Sequence, residues 1–110
     1  MVIQPGGTSV GGSTPASSVS SAEIAIPPLS NGANPKWILV VCIEPFKGMV
    51  ISFGQTGMGV ATVTNGIGID YGSGGQVINV AGNSHYRIIS EDAAANAYTI
   101  TPLSGINPGG

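Results

Sequence analysis

Charge is what this sequence has least of. Of 110 residues 7% are charged, with 3 Lys or Arg against 5 Asp or Glu and a formal net charge of -2. The basic residues Lys36, Lys47 and Arg87 are scattered. Neutralising phosphates takes clustered basic side chains, so nucleic acid is not an expected partner. There is one histidine, His85, and one cysteine, Cys42. A structural zinc site takes four Cys or His ligands and a catalytic one about three plus water, which leaves the ligand set nearly empty. Cys42 has no second cysteine to pair with inside the chain. Set in the most apolar stretch, it reads as a small buried hydrophobe rather than a reactive thiol. No apolar run approaches the ~20 residues that span a bilayer, so no membrane is expected. The N-terminus lacks the basic n-region and continuous h-region of a secretory signal.

Catalytic patterns are equally scarce. A Ser-His-Asp set drawn from His85 with Asp70 or Asp92 lacks a G-x-S-x-G elbow to present the serine. Glu44, Asp70, Glu91 and Asp92 are the carboxylates for paired acid-base work, and the adjacent Glu91-Asp92 reads as a solvated acidic turn. Gly54, Gly57 and Gly59 follow a strand without the G-K-[ST] of a phosphate loop, which makes them turn and close-approach glycines. No enzyme, cofactor or metal site is expected.

What remains is apolar and small: 42% of residues are hydrophobic and 18 are glycine. Disordered chains combine low hydrophobicity with high charge, so a folded domain is expected. The stretch Lys36–Gly54 holds most of the large apolar side chains, in two runs flanking Glu44-Pro45-Phe46-Lys47-Gly48, and reads as a central β-hairpin. Its first run, Trp37–Ile43, is apolar on both faces, as in a strand covered on both sides. Val60–Thr64 alternates and enters Ile67–Tyr71 through Asn65-Gly66, a two-residue hairpin signal. Further strands are expected at Ile24–Ile26, Gln76–Val80, His85–Ser90 and Ala97–Thr101, the last ended by Pro102, with room for one helical turn in Glu91–Asn96. About eight short strands separated by turns predict an antiparallel β-sandwich of jelly-roll or Greek-key type over residues 23–104, with a tail at 105–110.

Residues 1–22 carry no charged side chain until Glu23 and are mostly Gly, Ser, Thr and Pro. Such a segment cannot bury enough apolar surface to offset its ordering entropy alone. It reads as a flexible arm that becomes ordered along a neighbouring subunit, anchored by Val2, Ile3, Val10 and Val19. Small size, many glycines and no disulfide make self-association the remaining source of stability.

The succession Trp37–Ile43, Val50-Ile51-Ser52-Phe53-Gly54, Gly66-Ile67-Gly68-Ile69, Val77-Ile78-Asn79-Val80-Ala81-Gly82-Asn83, Tyr86-Arg87-Ile88-Ile89 and Tyr98–Leu103 resembles small head decoration, or cement, proteins of tailed bacteriophages. The resemblance covers residues 37–103 and rests on strand types with "FG" and "AGN" punctuation. It implies a β-sandwich, commonly trimeric, on the outer surface of the virion head, where it clamps major capsid subunits. It carries no catalytic residues. Val2, Ile3, Val10, Val19 and Trp37 are the expected interface residues. Two other readings stand beside it: a tail, fibre or adaptor component, and a carbohydrate- or host-surface-binding sandwich using Trp37, Tyr71, Tyr86 and Tyr98.

Overall fold

The computed structural model describes residues 2–15, 19–43, 48–62, 64, 66–69, 75–91 and 95–107, with backbone alone for 2–4 and 105–107. The described residues form β1 (Val2–Pro5), β2 (Val10–Ser13), β3 (Ile24–Ala25), β4 (Trp37–Cys42), β5 (Met49–Gly54), β6 (Ile67–Ile69), β7 (Gln76–Asn79), β8 (His85–Ser90) and β9 (Ala97–Asn107). No helix is found among them.

The strands make two antiparallel sheets. One runs β1-β9-β4-β7, with β2 also on β9, and the other runs β3-β8-β5-β6. Pairing is nested, first with last: β1 and β2 with β9, β3 with β8, β4 with β7, β5 with β6. The β4–β9 and β5–β8 ladders then join the nested pairs into sheets. One long antiparallel hairpin wrapped in this way is the jelly roll of two Greek keys. The all-β antiparallel sandwich expected from strand patterning is thus the observed architecture.

Alternation along each strand builds the core. Ile38, Val40 and Cys42 of β4, Ile78 of β7, and Tyr98 and Ile100 of β9 meet Met49 and Ile51 of β5, Ile69 of β6, and Tyr86 and Ile88 of β8. Each fully buried aliphatic side chain contributes roughly 1.5–3 kcal/mol over leaving it in water. A smaller cluster of Val50, Ala61 and Ile89 lies on the outer face of the β5–β8 sheet. Segments 20–23 and 57–61 are tied together above it. Ala61 N donates to Ser20 Oγ (2.9 Å), and Gly57 N and Met58 N donate to Glu23 Oε1 (2.6 and 3.1 Å).

The structure corrects three local expectations. β4 and β5 are not a hairpin, because β4 pairs with β9 and β7 and β5 with β8 and β6, in different sheets. Long-range pairing overrides the turn chemistry of the intervening segment, whose residues 44–47 lie outside the described residues. The Asn65-Gly66 hairpin signal falls partly outside the described residues. Of its expected strands, Thr62 makes an isolated bridge and β6 pairs with β5. Gly66 fits that pairing, since a Cβ there would lie 2.6 Å from Ile51 O. Pro102 does not end the last strand, and 105–107, expected as tail, belong to β9. The Pro102 carbonyl accepts Gly6 N (2.9 Å), so its missing N–H faces the same side, at the break between β1 and β2. Finally, within the expected arm, β1 and β2 lie along β9 of the same chain. The helical turn expected at 91–96 and the strand end at Asp70-Tyr71 fall wholly or partly outside the described residues.

Two polar contacts lock this arrangement. Tyr86 and Tyr98, 1% and 3% exposed, join the two sheets by a hydroxyl–hydroxyl bond of 3.0 Å, their rings edge to face at 6.2 Å. Asn96, fully buried, exchanges backbone-level bonds with Thr14: Asn96 N donates to Thr14 Oγ1 and Thr14 N to Asn96 O, both at 2.9 Å. Its Nδ2 donates to Gly48 O (2.9 Å) and Ser90 Oγ (2.7 Å), pinning the N-terminal segment to two loop ends.

Asn96→Ala should therefore cost about 2–3 kcal/mol in urea denaturation, because it strips two side-chain bonds from a closed pocket. A second expectation concerns alkaline pH. Burial raises the Tyr86 hydroxyl well above the ordinary tyrosine value of 10.0, with the Tyr98 bond adding to the rise, and burial raises Tyr98 as well. The folded chain therefore holds protons that the unfolded chain releases above pH ~10. Stability from these groups is complete below that pH and is lost progressively above it. Urea midpoints at pH 9, 10 and 11 should fall steeply, and the Tyr86→Phe/Tyr98→Phe double variant should flatten the fall.

Candidate functional site

The outer face of the β9–β4 sheet differs from that of its partner sheet. Along β4 the inward residues Ile38, Val40 and Cys42 are buried, while Trp37, Leu39 and Val41 point the other way and are half-buried. In register, Leu39 stands opposite Val77 of β7 and Thr101 of β9, and Val41 opposite Thr99. The result is an apolar stripe of Trp37, Leu39, Val41 and Val77 bordered by two threonines, with no ionisable side chain in it. Gly75 closes one end: its φ of 102° suits glycine, and a Cβ there would lie 2.9 Å from Val41 Cγ2. The strand read as covered on both faces is central in its sheet, but its outer face is only half-buried within one chain.

The five residues expected at an interface are not brought together. Trp37 lies on the stripe. Val2 and Ile3 are in β1, opposite Asn107 and Ile106. Val10 starts β2 at the sheet edge and is 42% exposed. Val19, 54% exposed, precedes Ser20 and Ser21, which belong to the other sheet's surroundings: Ser21 N donates to Ile88 O (2.8 Å). Leu39, Val41 and Val77 were missed, although the signal was present. A strand apolar at both odd and even positions needs two partners, and the core supplies one.

Of the four aromatics proposed for sugar stacking, Trp37 lies on the outer stripe. Tyr86 and Tyr98 are core residues, and Tyr71 lies outside the described residues. A cleft of about 250 Å³ has a mixed polar and apolar lining that includes Asn34, Pro35, Lys36, Gln55, Ala81 and Ser84. Its floor is self-satisfied: Gln55 Nε2 donates to Gly82 O, and Ser84 Oγ bonds Gln55 Oε1 (3.1 Å) and His85 Nδ1 (2.7 Å). Among the described residues, no group of three His, Cys, Asp or Glu stands close enough to hold a metal ion. Cys42 is buried in the core.

If the stripe is a surface and not a second core, lysine should be tolerated there. Leu39→Lys should shift folding stability by no more than about 1 kcal/mol, because the side-chain stem covers the face while the ammonium reaches water. Ile38→Ala, one residue away but fully buried, should cost about 2–5 kcal/mol. Urea denaturation of both variants measures the contrast.

No family model matches the chain, and no curated protein or solved structure matches it either.

Proposed function

We propose that this chain is a virion structural protein of the head decoration type, which seats on the outer capsid surface, self-associates as a trimer and ties neighbouring major capsid subunits together. One observation carries the reading: an uncharged apolar stripe, Trp37-Leu39-Val41-Val77, on the outer face of a jelly roll. Jelly rolls include viral capsid domains, lectins and cupins. Fold alone does not choose between those uses, so the surface must. Two of the four aromatics that a sugar platform could draw on, Tyr86 and Tyr98, are spent in the core, which leaves Trp37 alone on the described outer face. A dry, charge-free face meets protein surface with little desolvation cost.

The mechanism is mass action. A protein that binds the assembled lattice and not its free subunits stabilises the lattice by its binding free energy at every site. Modest contacts repeated across a shell then suffice, and no chemistry is required of the chain.

The test is copy number per purified virus particle, by quantitative mass spectrometry against the major capsid protein. Hundreds of copies in simple ratio to capsid subunits is the expected result. A handful in multiples of three or six assigns the chain to the tail or fibre, and absence from the particle overturns the virion reading.

A further inference from the structure

The N-terminal strands occupy their site on β9 in an unusual way. All four residues of β2 are exposed, and its one large apolar side chain, Val10, is only partly covered at 42% exposure. It is held by its ladder to β9, by the Ser9 Oγ–Thr101 Oγ1 bond (2.6 Å) and by the Thr14–Asn96 exchange at its end. Main-chain ladders of this kind form as well between two chains as within one.

The site is nevertheless selective. A Cβ at Gly6 would lie 2.7 Å from both Leu29 Cδ2 and Ser104 N. One at Gly7 would lie 2.7 Å from Pro28 O, and one at Gly12 2.9 Å from the Tyr98 hydroxyl. Contacts under 3.0 Å to backbone and core atoms exclude ordinary side chains. The edge of β9 thus accepts a strand with glycine at those three places and proline one residue before the first, where the ladder shifts between Gln4 and Pro5. The sequence Val2-Ile3-Gln4-Pro5-Gly6-Gly7-Thr8-Ser9-Val10-Gly11-Gly12-Ser13 is that strand. With the strand away, the eleven residues of β9 present an uncharged edge, the kind that recruits another strand.

We infer that the segment 2–14 is exchangeable between copies: the β9 edge of one chain takes the N-terminal strands of a second copy in the same register, from Val2 opposite Asn107 to Ser13 opposite Ala97, with Thr14 bonded to Asn96 at its end. Every contact made within the chain is remade between chains, so exchange costs only the association itself and is driven by concentration. This joins subunits by a route separate from the apolar stripe, and it holds or fails independently of any capsid.

Single-cysteine full-length chains in a Cys42→Ala background test it. Gly11 and Thr99 are register partners, and a Cβ at Gly11 meets nothing nearer than Tyr98 O at 3.8 Å. Directly opposed strand residues have Cα atoms about 4.5–5.5 Å apart, within disulfide range. A Gly11→Cys chain is mixed with a Thr99→Cys chain at high concentration, oxidised mildly and run on a non-reducing gel. As each chain has one cysteine, exchange predicts a mixed disulfide of twice the chain mass. The control partner is Val60→Cys, 64% exposed and outside the β9 register, which random collision would favour over the half-buried Thr99. Several-fold more product with Thr99→Cys than with Val60→Cys is the expected result. Equal yields, or no mixed product with Thr99→Cys, overturn the inference.

Discussion

The strand on which this structure depends is β9, because it is hydrogen-bonded along both edges. One edge pairs Tyr98–Leu103 with the whole of β4, and the other receives β2 and β1 end to end. Pairing the last strand with the first closes the outermost layer of the nested hairpin, and the inner pairs follow from it. Only then do Ile100 and Tyr98 face Ile88 and Tyr86 across the core. The Tyr86–Tyr98 bond is the visible seal between sheets, and Asn96 fixes the entry to β9 by gripping Thr14 on one side and Gly48 on the other.

How much of this could be read in the sequence follows from the range of each interaction. Element existence was legible, because period-2 alternation is local: β4, β5, β7, β8 and the start of β9 all stand where their apolar residues alternate. Pairing partners were not, because turn chemistry speaks only for neighbours. Asn65-Gly66 and Glu44–Gly48 both favour hairpins, yet the ladders of β4 and β5 are made with strands far along the chain. Pro102 misled for a related reason. A proline breaks a ladder only where its missing donor is needed, and here that side faces the gap between β1 and β2.

The candidate surface was half legible. The two-sided apolarity of Trp37–Cys42 was read as full cover, and the structure shows one face in the core and one half-buried. Trp37 was singled out by type, but Leu39, Val41 and Val77 join it only through the β4–β7 register, which no spacing in the sequence discloses. The contrast with the other sheet gives the stripe its meaning. There Ser20, Glu23 and the 57–61 segment fold over Val50 and Ile89, so the described residues cover that outer face and leave the other half-buried and apolar.

The most direct test of that asymmetry, and of the proposed virion role with it, is hydroxyl-radical footprinting read by mass spectrometry, on the free chain and on purified virus particles. Trp37 and Leu39 should be labelled in the free chain and protected in the particle, while Val60, on the self-covered side, stays reactive in both. Equal labelling of Trp37 in the two states, or protection falling on Val60 instead, would contradict the account.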